Sequence, residues 1–267
     1  MSHLMKNYGR LPVSFDHGQG VWLWDKEGHK YLDALAGIAV NSVGHAHPRL
    51  VRAIADQASK LIHCSNYFNI DLQEQVAEKL VEHSGLEAVF FCNSGLEANE
   101  CAIKIARKFG HAKGIEVPNI IVLKHAFHGR SIATLSATGN PSVRADFSPY
   151  TEGFIFVDES DLDGIRKIVE ENKNVVAIFF EPILGEGGVV PIDLSVIKGI
   201  REICDEHDLL MMCDEVQCGM GRSGKWFAHQ WAEIKPDVIT MAKGLAGGVP
   251  VGAVIVSEKA NIFKPGN

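Results

Sequence analysis

A chain of 267 residues, 46% of them hydrophobic, is long enough to bury a large core in one or two domains. Its formal net charge of −7, with no basic run, argues against nucleic acid or an anionic membrane as partner, and no stretch approaches the roughly 20 apolar residues of a membrane helix. The opening MSHLMKNYGRLPV lacks the apolar core of a signal peptide, and six cysteines without a CxxC pair point to reduced thiols in a cytoplasmic setting.

Taken in chain order, residues 12–33 predict a small antiparallel meander with turns at His17-Gly18-Gln19-Gly20 and Lys26-Glu27-Gly28. Amphipathic helices are expected over 48–60 and 71–83. From about residue 88, strands near 88–92, 119–123, 154–157, 175–180, 209–213 and 237–241 alternate with helices near 95–109, 160–171 and 194–207. That alternation is the pattern of an α/β fold, a mostly parallel sheet with helices on both faces. The expected organisation is an N-terminal segment over 1–60 and a larger domain over 61–267. There is no internal repeat and no low-complexity linker.

The chemistry concentrates where predicted strands end, which is where open α/β sheets bind ligands. Lys243 follows the apolar run Val238–Met241 and precedes the glycine-rich GLAGG. A lysine held there is partly desolvated, which favours its neutral amine. Asp214 closes a second apolar run, Leu209–Cys213, 29 residues earlier. Each alone has an ordinary reading, a solvated strand-end lysine and a capping or loop carboxylate. Together they match what pyridoxal phosphate requires: an amine for a Schiff base and an acid that keeps the pyridine nitrogen protonated.

Three further segments agree. In FFCNSGLEANECAIKIAR, residues 90–107, a buried strand turns through Asn93-Ser94-Gly95 into a helix. Its first turn offers free N–H groups, the Ser94 hydroxyl and the positive end of a helix dipole, a cradle for phosphate. Ser94 with Glu97 also fits a capping box, and both roles use the same geometry. Neither GxGxxG nor GxxxxGKS/T is present, which argues against dinucleotide and nucleoside triphosphate sites. In KHAFHGRS, residues 124–131, Phe127 is placed to stack on a cofactor ring and Arg130 to grip a substrate carboxylate. EPILGEGG, residues 181–188, brings Glu181 and Glu186 into a tight turn after a strand. The histidine pairs HAH at 45–47 and HAFH at 125–128 lack a carboxylate framework or HExxH spacing, so no metal site is expected.

The stretches GVWLWDKEGHKYLD, GIAVNSVGHAHPRL, HCSNYF, NSGLEANE, FHGRS, EPILGEGG, DEVQCGMGRSG and MAKGLAGGVPVGA, running from Pro12 to Val256, carry a specific resemblance. The chain resembles the class III pyridoxal-phosphate aminotransferases of fold type I, closest to the acetylornithine and ornithine enzymes. The resemblance implies that Lys243 is the Schiff-base lysine, Asp214 pairs the pyridine nitrogen, and Gln217 bonds the ring hydroxyl. It further implies that Ser94, Gly95 and Leu96 hold the phosphate, Phe127 stacks on the ring, and Arg130 binds the carboxylate of an acylated diamino acid. Glu181 and Glu186 border the substrate, Glu186 resembling the carboxylate that pairs with a C-terminal arginine between half-reactions.

Cys218 and Ser131 stand where the family commonly has threonine. The family also continues well beyond the point matching Asn267, through a GSTFGGNP stretch whose threonine reaches the partner subunit's phosphate and a small C-terminal domain. That domain is therefore expected to be absent from this chain. The implied function is transfer of the terminal amino group of N-acetylornithine, or a related ω-amino acid, to 2-oxoglutarate in arginine biosynthesis, by a homodimer. Ornithine, succinylornithine and 4-aminobutyrate are the alternative donors, and a truncated non-catalytic chain of the same fold is the alternative of a different kind.

Overall fold

The computed structural model describes residues 3–267, which divide into two units, one reaching to Phe68 and the other running from Asn69 to Asn267. In the first, strands β1 (Phe15–Gln19), β2 (Trp22–Asp25) and β3 (Lys30–Leu32) form an antiparallel meander in that order. The predicted turn at 17–20 is tighter than expected. Gln19 pairs with Trp22, so His17 and Gly18 lie within β1, and the reversal is made by Gly20, at φ +58°, with Val21. The His17 ring stacks on Trp24 across the pair, with centroids 4.9 Å apart, which explains why a histidine reads here as strand. The second turn falls at Lys26–Gly28, where Asp25 accepts the backbone N–H groups of Glu27 and His29. A short left-handed turn, α1 (Ala36–Ala39), and the helix α2 (Pro48–Ala58) complete the unit.

The second unit is built on a seven-stranded sheet. In chain order its elements begin with α3 (Asp71–Ser84), β4 (Ala88–Cys92), α4 (Gly95–Ala112), β5 (Asn119–Leu123), α5 (Ile132–Ala137) and the turn α6 (Pro141–Arg144). There follow β6 (Phe154–Val157), α7 (Leu162–Glu171), β7 (Val175–Phe180), a minimal hairpin β8 (Ile183–Leu184) and β9 (Val190–Pro191), and α8 (Leu194–Glu206). The chain ends with β10 (Leu210–Asp214), β11 (Val238–Met241) and β12 (Gly252–Val256). The sheet order is β4-β12-β11-β10-β7-β5-β6. β12 alone runs against its neighbours. Only residues 242–251 separate it from β11, fewer than the dozen or so that a parallel crossover needs.

Burial explains the strand sequences. Every residue of β7 (VVAIFF) and β10 (LMMCD) is buried, as expected for central parallel strands covered on both faces. Alternate residues enter different cores. Met211, Cys213, Ile178 and Phe180 pack with Ile197, Ile200 and Ile203 of α8, whereas Leu210, Met212, Ala177 and Phe179 pack with α4. The inner face of α4 carries Ala98, Ala102 and Ala106, all fully buried, so the helix axis lies close on β11 and β12. Helix starts are capped as the side chains dictate: Ser94 accepts the Glu97 N–H, Asp161 that of Gly164 and Asp193 that of Ser195. Gly85, in the left-handed conformation, closes α3.

Because β4, β5, β7, β10 and β11 all run one way, their C-terminal ends share one edge of the sheet. Segments 93–96, 124–131, 181–188, 214–218 and 242–248 therefore leave the sheet on the same side.

Candidate active site

Asp214 ends β10 and is 3% exposed. Its Oδ2 accepts the Asn99 amide N–H at 2.7 Å and lies 2.8 Å from His128 Nδ1; Oδ1 accepts the Val216 N–H at 3.0 Å. A carboxylate only accepts, so Nδ1 of His128 carries the proton in this contact. The His128 ring stacks on Phe179 with centroids 4.1 Å apart, and Asn99 also donates to the His128 carbonyl at 2.7 Å. The carboxylate is thus oriented from three sides, yet among the described residues no Lys or Arg lies within ion-pairing distance of it. His128 Nε2 and Asn99 Oδ1 are buried without a partner among the described residues.

Asn99 and His128 are the residues that sequence reasoning passed over. A polar side chain on the otherwise apolar inner face of α4 was the available signal for Asn99. His128 stood in HAFH, a pattern weighed only for metal.

Lys243 opens a single 3-10 turn after β11, half-buried and at φ +41°, a left-handed conformation uncommon for a lysine. Burial lowers the pKa of its ammonium, and the carboxylates of Asp214, Glu186 and Glu181 oppose that shift only in part. The cradle lies next to this turn. A methyl group on Gly95 would stand 2.6 Å from Val216 Cγ1 and 3.4 Å from Ala242 Cβ, so the N-terminus of α4 abuts both the Asp214 and the Lys243 segments. The N–H groups of Gly95 and Leu96, in the first turn of α4, have no partner inside the helix. Ser94 caps that helix, and the Glu97 carboxylate accepts from the Asn93 N–H at 2.8 Å and the Ser94 hydroxyl at 3.1 Å.

Phe127, half-buried, and the exposed Arg130 follow β5, with the guanidinium 5.9 Å from the ring centroid. Both line a cavity of about 330 Å³ with Glu186, Asn140 and Pro141. Glu181 does not line it. The Glu181 side chain is buried and accepts the Phe127 N–H at 2.9 Å and the Gly185 N–H at 3.1 Å. Gln217 packs against Gly185, where an added Cβ would stand 2.4 Å from Gln217 Oε1. All ten residues singled out from the sequence thus lie at the strand ends of one edge of the sheet or in the turns and helix starts that follow them. Among the described residues no cluster of three or more metal-ligating side chains is present.

A helix N-terminus with free N–H groups, a buried carboxylate without a Lys or Arg partner among the described residues, a half-buried lysine and a phenylalanine that lines a cavity are thus gathered at one edge of the sheet. The chain belongs to the class III aminotransferases, whose family model matches residues 4–267. It is 54% identical over 268 residues to the acetylornithine aminotransferase of Nitrosomonas europaea, covering 100% of this chain and 68% of that protein. The Synechocystis protein of the same name is 48% identical, with 100% and 63% covered. Among solved structures, the ornithine aminotransferase of Toxoplasma gondii superposes with a TM-score of 0.94 at 34% identity, over 99% of this chain and 63% of that one. The N-acetylornithine aminotransferase of Stenotrophomonas maltophilia does so with a TM-score of 0.83 at 39% identity, over 95% and 64%. A further Toxoplasma structure has pyridoxal phosphate at partial occupancy in its active site. The chain spans about two-thirds of the length of the proteins it matches.

Proposed function

We propose that the protein transfers the terminal amino group of N-acetylornithine, or of a close relative, to 2-oxoglutarate with pyridoxal phosphate as cofactor, acting as a cytoplasmic homodimer. The observation that carries this reading is the buried, triply oriented Asp214 carboxylate beside a lysine whose ammonium is destabilised by burial. The preference for an acetylated donor rests on the 54% identity to a named acetylornithine enzyme, against 34% to an ornithine enzyme. Six unpaired thiols suit a reducing compartment.

The donor set fits the cofactor. Ser94, Gly95 and Leu96 would hold its phosphate through a hydroxyl, backbone N–H groups and the α4 dipole. Asp214, buried and without a Lys or Arg partner among the described residues, would hold the proton of a ring nitrogen, while Asn99 and His128 keep the carboxylate in place. Phe127 would cover one face of the ring and exclude water, and Gln217 would bond the ring hydroxyl. Pyridoxal phosphate, when bound, supplies an electron sink for the carbon that carries the amino group. Lys243 would hold the cofactor covalently through Nζ and, once released, act as the base, a role that requires the neutral amine that burial favours. Arg130 would bind the donor carboxylate at the mouth of the cavity it shares with Glu186.

The test is borohydride reduction of the full-length protein in the presence of pyridoxal phosphate, peptide mapping, and a panel of amino donors. A pyridoxyl group on Lys243 with N-acetylornithine as the best donor is the expected result. A label on another lysine overturns the site. Preference for ornithine, succinylornithine or 4-aminobutyrate overturns the substrate, and binding without turnover on any donor overturns catalysis.

A further inference from the structure

Glu181 is a strongly buried carboxylate at this edge that lines no part of the cavity and makes no hydrogen bond to Asp214, and its surroundings are unusual. It follows the last residue of β7, is 4% exposed, and spends both oxygens on backbone: Oε2 on the N–H of Phe127, 54 positions away in sequence, and Oε1 on the N–H of Gly185. Among the described residues no lysine, arginine or histidine lies within ion-pairing distance of it. A buried carboxylate without a cationic partner is costly. Such groups persist where the arrangement serves a function.

What the two hydrogen bonds join is specific. The Phe127 peptide carries the ring that faces the cavity, and it sits in the segment that also holds His128 against Asp214. Gly185 is the residue against which Gln217 is packed, with no room for a Cβ between them. The same two segments meet again at Gly187, where an added Cβ would stand 2.8 Å from the His125 carbonyl oxygen. We propose that Glu181 is a positioning residue, a carboxylate clamp that sets the Phe127 segment and the Gly185–Gln217 contact at a fixed separation. A cofactor ring is thereby gripped between them. This deepens and rests on the reading of the site as a pyridoxal-phosphate site. It replaces the direct substrate contact expected of Glu181 from the sequence, because the side chain is buried outside the cavity that Arg130 and Glu186 line.

Glutamine at 181 preserves the shape but offers one acceptor oxygen and turns a donor toward the second N–H, so one of the two loops is released. The experiment compares the full-length parent with Glu181→Gln and Glu181→Leu, measuring pyridoxal phosphate affinity by fluorescence quenching, the near-ultraviolet and visible circular dichroism of the bound cofactor, thermal midpoint, and KM and kcat. At pH 8, where the Glu181 carboxyl is ionised, the clamp requires that Glu181→Gln weaken cofactor affinity about ten-fold or more and alter the cofactor dichroism, as expected for loss of about one charge-assisted hydrogen bond. The KM values of amino donor and 2-oxoglutarate should stay within about two-fold, and Glu181→Leu should be worse than Glu181→Gln in affinity. A raised donor KM with cofactor affinity and dichroism intact makes Glu181 a substrate contact and overturns the clamp. A lowered thermal midpoint with an unchanged cofactor signature in the folded fraction makes it merely structural and also overturns it. If the parent itself binds no pyridoxal phosphate, the proposed function falls and the clamp with it; if the parent binds and both variants bind equally well, the clamp alone falls.

Discussion

At Asp214, geometry and charge can be separated by one atom. Asp214→Asn keeps the size of a side chain that three neighbours hold in place, but removes the negative charge that would pair a ring nitrogen. At an effective dielectric near 20, an ion pair at about 4 Å is worth at most about 4 kcal/mol, roughly three decades. Turnover of the full-length variant should therefore fall by about 100-fold or more with an unchanged far-ultraviolet spectrum, and a loss of only a few-fold would remove the acid from the mechanism. Glu181 predicts a pH effect of definite sign. Burial and the neighbouring Asp214 carboxylate push its carboxyl from 4.5 up to about 7. Between those values the native side chain keeps a proton that the unfolded chain has lost, so its contribution to stability is complete below about 4.5 and disappears as pH rises through 7. Urea midpoints measured from pH 5 to 8 should decline less steeply in Glu181→Gln than in the parent; parallel profiles would contradict the assignment.

The start of α4 is the element on which the cradle depends, and two substitutions test it differently. Ser94→Ala removes the N-cap, at a cost of about 1 kcal/mol to unfolding, together with a hydroxyl that would reach phosphate. Gly95→Ala keeps the cap but drives a methyl group into Val216, 2.6 Å away, where the helix meets the Asp214 and Lys243 segments. Its expected effect is a larger loss of pyridoxal phosphate affinity than that of Ser94→Ala, read by equilibrium dialysis. Equal or smaller loss would mean that the helix can withdraw from the sheet without disturbing the cradle. The sequence predicted α4 well at its start, because strand, turn and capping residues follow one another without interruption. Its end is less clearly marked: the helix continues past 109 to Ala112, since Phe109 and Gly110 still pack beneath it.

Across the second unit, helices on both faces secure the sheet, so the platform of the site is the hydrophobic core itself. Ile200 of α8 is fully buried among Ile178, Phe180 and Met211, and Ile200→Ala should cost about 2–5 kcal/mol in a urea titration while leaving donor KM unchanged. A cost below about 1 kcal/mol would mean that α8 is not part of the cooperative unit. One edge of the unit is conspicuously apolar: Phe90 on the edge strand β4 is 50% exposed, and Leu72 and Val76 on α3, which packs on that strand, are 51% and 40% exposed. A second copy of the chain is the partner that the proposed function assigns to such surfaces, and sedimentation equilibrium of the full-length protein should return twice the chain mass. A monomer at micromolar concentration would refute it.

The fold class, and the gathering of the candidate residues at one sheet edge, were legible because both are written in local patterns. Unbroken apolar runs mark parallel strands buried on both faces, and the residues that end those runs, Asp214 and Lys243 above all, fall on one edge once the strands are parallel. The hairpin was placed a few residues too early because glycine marks a turn without saying which neighbour pairs across it, and only the Gln19–Trp22 register decided that. Asn99, His128 and the inward role of Glu181 were invisible for a different reason. Their partners lie 115, 86 and 54 positions away, so hydrogen bonding and burial, which depend on three-dimensional neighbours rather than residue type, turn an ordinary amide, imidazole and carboxylate into the support of the site.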